Sequence, residues 1–405
     1  MNDPNFPWQN YRADYRTKYR ENFPALANKS YFNYGGQGPM SRQALEAIYQ
    51  AYEYLQTKGP FSGQVGMWIK DQTERTKQAI AQEINGPVDS ITLTEDVTVG
   101  CNIPMWGLPW QAGDRLLISD CEHPGVVAIA QELGRRFQIS VDVCQLLPTV
   151  NSGDPVQVIA ESLTPQTKLL VISHIFWNSG QVLPLAEVIN LCHGRGVKVL
   201  VDAAQSVGMI PVDVTALNVD FYAFTGHKWW GGPEGLGALY VNPNLWETLA
   251  PTFIGWRGII TDQNAQPVRW QKGCKRYEIA TFAYPLMFGL QRAIALQNEW
   301  GDIEERYQQI LHLSNYLWSK LQKINHIQCL LNTAPASGLV SFQLPEKKHH
   351  ELLVTFLENQ HNILLRTILY PSCVRACVNY FTTVEEIDQM LLRIENFITD
   401  HYSDN

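Results

Sequence analysis

From residue 90 onward, short apolar runs alternate with helical stretches, and this alternation constrains the fold more than any other feature of the chain. The runs cover residues 91–93, 115–118, 168–172, 197–201, 221–224 and 237–241. They are dominated by apolar residues that would face both sides of a strand. A strand of that kind needs cover on both faces, as in a parallel sheet flanked by helices. The pattern is that of an α/β protein, whose ligands bind at the carboxyl ends of the strands. Chemistry is therefore expected in whatever follows each run.

The flanking segments complete the organisation. Residues 1–30 read as an N-terminal arm packing with a small C-terminal domain. A Gly-rich turn follows, Tyr34-Gly35-Gly36-Gln37-Gly38-Pro39, then two amphipathic segments at 41–57 and 67–84. A helical stretch over 285–323 leads to a smaller α+β unit, with strands expected at 338–343, 363–365 and 374–378. Its last helix opens on a capping box, Thr383 with Glu386. These divisions give an arm (1–30), a large domain (31–284) and a small domain (285–405).

Composition narrows the function. Formal net charge is −8 with no cluster of Lys and Arg, which argues against nucleic acid. No run of about 18 apolar residues is present. The polar, aromatic opening lacks a secretory signal. A cytosolic protein with no membrane partner is expected. Eight cysteines show neither a CxxC pair nor a zinc pattern. They read as reduced, mostly buried thiols, and no metal site is expected.

Two strand ends stand out. Asp202 closes the run at 197–201, in VLVDAAQSVG. A carboxylate there is costly unless something pairs with it. Its plain alternative is a helix N-cap. After the run at 221–224 come Thr225, Gly226, His227 and Lys228, then Trp229-Trp230-Gly231-Gly232. A lone lysine there would be a solvated surface residue. An acid and a lysine at successive strand ends are the minimum apparatus for a pyridinium aldehyde cofactor. Two further ends, Ser119 to Pro124 and Thr94 to Thr98, open onto helices whose first amides suit a phosphate.

Together these segments resemble the class V aminotransferase family, the cysteine-desulfurase-like group of fold-type I pyridoxal 5′-phosphate (PLP) enzymes, and most closely its cyst(e)ine C–S lyases. DFYAFTGHKWWGGPEGLGALYV is the most specific match and VLVDAAQSVG the next; YFNYGGQGPM, LTEDVTVG, ISDCEHPGVV, SHIFWNSGQVLPL and VRACVNYFTTVEEID follow the family's order. The resemblance implies a large domain with a mainly parallel seven-stranded sheet and a smaller α+β domain. It also implies roles. Lys228 would carry PLP as a Schiff base and move protons. Asp202 would hold the ring nitrogen, Gln205 the ring hydroxyl, and His123 would stack on the ring. Thr225, His227 and the amides at Val97 and Thr98 would hold the phosphate. Thr281 would reach the cofactor of a neighbouring subunit, implying a homodimer. Arg375 would grip the substrate α-carboxylate, with Arg366 and Gly36 also at the substrate.

Two departures bear on the reaction. Trp177, with Asn178 beside it, stands where the family commonly has an asparagine near the cofactor hydroxyl. Desulfurases carry a catalytic cysteine on a loop between the arginines matching Arg366 and Arg375. Here the interval is only RTILYPSCVR, and Cys373 reads as a core residue. Without a thiolate to attack sulfur, removal of the Cα proton leads to β-elimination, and the released enamine hydrolyses to pyruvate and ammonia. Cystine is the better substrate than cysteine, because persulfide is the weaker base and two arginines suit two carboxylates. The product would be cysteine persulfide, a sulfur source for iron–sulfur cluster assembly through an acceptor protein. A desulfurase or selenocysteine lyase, an epimerase or aminotransferase of the same group, and a catalytically silent PLP-binding partner protein are the competing readings.

Overall fold

The computed structural model describes residues 18–402. A seven-stranded sheet occupies its centre, built from β1 (Ile91–Thr94), β2 (Arg115–Ser119), β3 (Ser140–Cys144), β4 (Thr167–Ser173), β5 (Lys198–Asp202), β6 (Phe221–Thr225) and β7 (Gly237–Val241). The spatial order is β1-β7-β6-β5-β4-β2-β3. Strands β3, β2, β4, β5 and β6 run parallel, and β7 is antiparallel to both of its neighbours. Edge strand β3 apart, the sheet is buried on both faces, as its mainly apolar runs require. Along β4, Leu169 and Val171 enter one apolar layer while Leu170 and Ile172 enter the other. Successive side chains of a strand point to opposite faces, so each layer takes every second residue.

Helices cover the sheet and join it to the rest of the chain: α1 (Arg42–Lys58), α2 (Gly63–Glu83), α3 (Val97–Gly107), α4 (Pro124–Phe137), α5 (Pro155–Ser162), α6 (Leu185–His193) and α7 (Pro285–Trp300). Helix α2 begins a turn earlier than its periodicity suggests, because the Ser62 hydroxyl accepts the Val65 amide at its N-terminus. The single helical stretch expected over 285–323 is two helices, α7 and α8 (Ile303–Leu321). Gly301 breaks it, and Asp302 starts α8 with a reciprocal capping box to Glu305.

The C-terminal unit carries a four-stranded sheet of β8 (Gln328–Cys329), β9 (Leu339–Gln343), β10 (Arg366–Ile368) and β11 (Cys373–Cys377), in the order β8-β9-β11-β10. Helices α9 (Lys348–His361) and α10 (Val384–Tyr402) pack on it. Its two faces have different fates. Val340, Phe342, Val374 and Ala376 enter a local core with Leu317, Leu353 and Ile394. Leu339 and Cys377 face the other way, into the core of the large sheet's unit.

The described part of the N-terminal arm clasps this C-terminal unit; its residues 1–17 lie outside the described residues. Arg20 pairs with Glu386 at 2.7 Å, and Phe23 stacks on Phe381 with ring centroids 4.8 Å apart. Ser30–Tyr31 adds a short parallel ladder to Ile363–Leu364.

The Gly-rich turn then docks on the segment after β6. The Gly38 amide donates to the His227 carbonyl at 2.7 Å. A Cβ on Gly38 would lie 2.0 Å from the Lys228 carbonyl oxygen, so the two backbones touch only because residue 38 has no side chain. Gly38→Ala must push the Lys228 segment aside. We expect it to lower stability by about 3 kcal/mol, read as the denaturation midpoint of the apoprotein, and to loosen cofactor retention in the folded fraction. An unchanged midpoint would show that the contact is not tight.

Candidate active site

The strand ends converge as a parallel sheet demands. Asp202 is the last residue of β5, paired in register with Ser173 of β4 and Ala223 of β6. It is 7% exposed. Its Oδ1 accepts the Ala204 amide at 2.9 Å, an N-cap-like contact. Oδ2 has no hydrogen-bond partner among the described residues. Burial pushes its carboxyl up from the ordinary range, opposed by the Ala204 amide and then by the charges of Lys228 and His123.

Lys228 follows β6 by three residues. Crowding by protein lowers its ammonium to about 8; Asp202 opposes that shift, while Arg375 and Arg366 reinforce it. An amine so tuned is neutral for much of its time near pH 8, the state in which it is a nucleophile.

His123 is the N-cap of α4, and its Nδ1 accepts the Gly125 amide at 3.2 Å. That bond leaves Nε2 to carry the proton of the neutral ring. Partial burial, then the Lys228 charge, hold its imidazole below the ordinary range. Nearby, α3 starts behind Asp96, whose side chain takes the Val99 amide at 2.9 Å. The amides of Val97 and Thr98 in that first turn have no backbone partner, as at any helix N-terminus. Thr225 Oγ1 and His227 Nδ1 are 2.6 Å apart.

The C-terminal sheet supplies the other wall. Arg375 is 1% exposed, and one of its terminal nitrogens donates to the Trp177 carbonyl at 2.6 Å. Its Nε and other terminal nitrogen are buried without a partner. Arg366 stands directly opposite on β10, in register with Arg375. Like charges facing each other across strands repel. Partial burial and the Arg375 charge pull the Arg366 guanidinium below its usual range. Two guanidiniums in this arrangement, one with idle buried donors, suit an anion between them. The connection Leu369–Ser372 joins their strands and is held at several points. Asn178 Nδ2 donates to the Tyr370 carbonyl at 3.3 Å, Gln343 Nε2 donates to the Ser372 carbonyl at 2.7 Å, and His350 Nδ1 meets Ser372 Oγ at 2.9 Å. Cys373 is fully buried, and burial pushes its thiol up to about 12.

Some expected contacts differ in detail. Both ends of the Gln205 amide are engaged within the protein: Nε2 donates to Gly35 O at 2.8 Å and Oε1 accepts Trp229 Nε1 at 2.9 Å. A ring hydroxyl can reach only what Nε2 has left. A Cβ on Gly35 would be 3.1 Å from the Arg375 guanidinium, and one on Gly36 would meet the Asn33 side chain. Asn178 is spent on the Ser179 amide and Tyr370, while the Trp177 indole lies edge-on to His123, its Nε1 buried and unpartnered. Thr281, expected at a neighbouring subunit's cofactor, is exposed and lines a cleft with Thr94, Glu95 and Gly235. The set fits a phosphorylated pyridinium aldehyde: a free carboxylate oxygen for the ring nitrogen, an amine for the aldehyde, and helix-end amides for the phosphate.

Comparison with known proteins agrees with this chemistry. The chain is 46% identical to the cystine C–S lyase C-DES, solved with its reaction product cysteine persulfide; the TM-score is 0.91 over 93% of this chain and 99% of that one. A C-DES mutant with glycine covalently linked to the PLP cofactor aligns equally well. The cysteine desulfurase of Shigella sonnei (strain Ss046) is 30% identical over 342 residues, 80% of this chain and 82% of the relative. The apo cysteine desulfurase of Thermococcus onnurineus NA1, at 21% identity and a TM-score of 0.84, shares the fold. The family described as aminotransferase class-V matches residues 31–390, and the chain belongs to that family.

Proposed function

We propose that the chain is a PLP-dependent carbon–sulfur lyase that cleaves cystine, with water, to pyruvate, ammonia and cysteine persulfide. The observation that carries this reading is the short, tethered connection Leu369–Ser372. It sets Arg366 and Arg375 face to face and leaves no loop on which a catalytic thiol could ride. The 46% identity to C-DES supports it.

Bound PLP supplies an electron sink that acidifies the substrate Cα–H bond. The protein does the rest. Asp202 offers Oδ2 to the ring nitrogen and keeps it protonated. Lys228 would hold the aldehyde and would serve as the base that takes the proton from the substrate Cα. His123 covers the ring. Val97, Thr98, Thr225 and His227 hold the phosphate. Arg375 orients the α-carboxylate so that the Cα–H bond stands perpendicular to the ring. Arg366 takes the distal half of cystine. With that proton removed, persulfide would be the group released from Cβ. No thiolate is required.

Thr281 belongs to this reading as a contribution from a second copy of the chain. Phe253, Ile254, Trp256 and Val268, all more than half exposed, lie in the same stretch of chain and suit burial in a homodimer. The enzyme would work in the cytosol and pass sulfur to an acceptor protein. No described helix is long and apolar enough to cross a membrane.

Incubation of the holoenzyme with cystine tests the reaction directly: pyruvate is expected, and alanine in its place would mean desulfuration. The lowered amine of Lys228 predicts how the apoenzyme takes up its cofactor. Only the neutral amine attacks an aldehyde, so the reconstitution rate should climb with pH and level off just above pH 8. A rate still climbing at pH 10 would mean an ordinary lysine. Arg366→Ala should weaken kcat/KM for cystine by roughly 10–150-fold, about 1.5–3 kcal/mol for a charge-assisted contact. It should spare β-chloroalanine, which has no second carboxylate. Equal losses on both substrates would assign Arg366 to the α-carboxylate.

A further inference from the structure

Glu122 is a buried acid at the strand ends that the chemistry above leaves unused. It sits in the turn between β2 and α4, immediately before His123, and is 5% exposed. Its side chain folds back onto the sheet. Oε1 accepts the Ser119 hydroxyl at 2.5 Å and the Ser173 amide at 3.1 Å; Oε2 accepts the Ser173 hydroxyl at 2.8 Å. Ser119 ends β2 and Ser173 ends β4, and these strands are neighbours in the sheet. Asp202 ends the next strand, in register with Ser173. One carboxyl thus spans two strand ends beside the acid that would hold the ring nitrogen. From the other side the Gly125 amide holds His123 Nδ1 at 3.2 Å. The imidazole is carried on a turn tied at both ends.

We propose that Glu122 is a positioning residue for His123: its carboxyl fastens the turn to the ends of β2 and β4 and so sets the height and tilt of the imidazole over the cofactor ring. This rests on the reading of His123 as the stacking group.

The tie does not depend on negative charge. Burial, ahead of the nearby Asp202 charge, pushes the Glu122 carboxyl up to about 7, while the Ser119 and Ser173 contacts oppose the shift. Near neutrality it therefore spends much of its time as an acid with one donor and one acceptor. A glutamine amide offers the same pattern: its oxygen can accept from Ser119 and the Ser173 amide, and its nitrogen can donate to Ser173 Oγ. Alanine offers neither.

A double-mutant cycle on the holoenzyme tests the idea, read by kcat for pyruvate release and by the visible circular dichroism of the bound cofactor. Glu122→Ala should lower kcat by roughly 10–100-fold, the scale for a misplaced site group, and shrink the dichroic band. Glu122→Gln should stay within about 3-fold and keep the band, as a maintained hydrogen-bond pattern requires. In a His123→Ala background, Glu122→Ala should cost less than about 2-fold, because it has nothing left to position. Equal costs in both backgrounds, or a glutamine variant as impaired as alanine, would overturn the proposal. If Glu122→Ala does not fold, Ser173→Ala removes one hydroxyl of the tie and enters the same cycle, with the same expected non-additivity. The dichroic band reports ring geometry even if the protein makes no pyruvate, so failure of the lyase reading and failure of this one are distinguishable.

Discussion

A carboxylate buried at the end of an apolar strand has to meet a positive charge, and the site is arranged around that need. Asp202 lies at the buried end of β5, behind the apolar run Val199–Val201, where stranding an unpaired charge is costly. Lys228 and His123 are the basic groups that lie near it. Neither satisfies it by direct hydrogen bond, and Oδ2 stays uncommitted. A protonated ring nitrogen removes the deficit. The same crowding that raises Asp202 lowers Lys228, so the acid is primed to hold a proton's charge and the amine to lose one. Two opposite shifts from one dry environment make a binding site out of what would otherwise be a packing defect.

The second sheet answers a different electrostatic problem. Arg366 and Arg375 oppose each other across β10 and β11, and Arg375 keeps two buried donors idle. The large sheet therefore presents an unfilled need for a cation and the small sheet an unfilled need for an anion. An amino acid bound to a pyridinium cofactor would supply both. Contacts between backbones keep the walls in register: the turn at Gly35 to Gly38 touches the Arg375 guanidinium at one end and the Lys228 carbonyl at the other.

The large sheet was legible in the chain because strands buried on both faces leave unbroken apolar runs. Strand β3 was not. Its Ser140 is exposed and Asp142 bonds to Arg115, because an edge strand has only one neighbour and a half-open face. The break between α7 and α8 was missed because the apolar periodicity continues across Gly301, and only the Asp302 cap marks it. At the site, Asp202, Lys228, His123 and Arg375 could be named from motifs. The engagement of Gln205 with Gly35 could not, since it joins segments 170 residues apart. Glu122 stood in view beside His123, but its meaning lies in Ser173, on another strand. An exposed residue such as Thr281 would acquire its proposed role only in an assembly, which one chain's periodicity does not describe.

The tethered connection at Leu369–Ser372 also says something about traffic. A mobile arm bearing a thiol can swing from the reaction centre to the surface and hand its cargo directly to another protein. Here the corresponding segment is pinned by Asn178, Gln343 and His350. Among the described residues this rim carries no exposed thiol to ferry an atom outward. A leaving group formed beneath it must depart as a free small molecule, diluted by the surrounding solution. Delivery would then depend on the lifetime and concentration of that molecule, and on how many receivers compete for it, rather than on a protein-to-protein embrace.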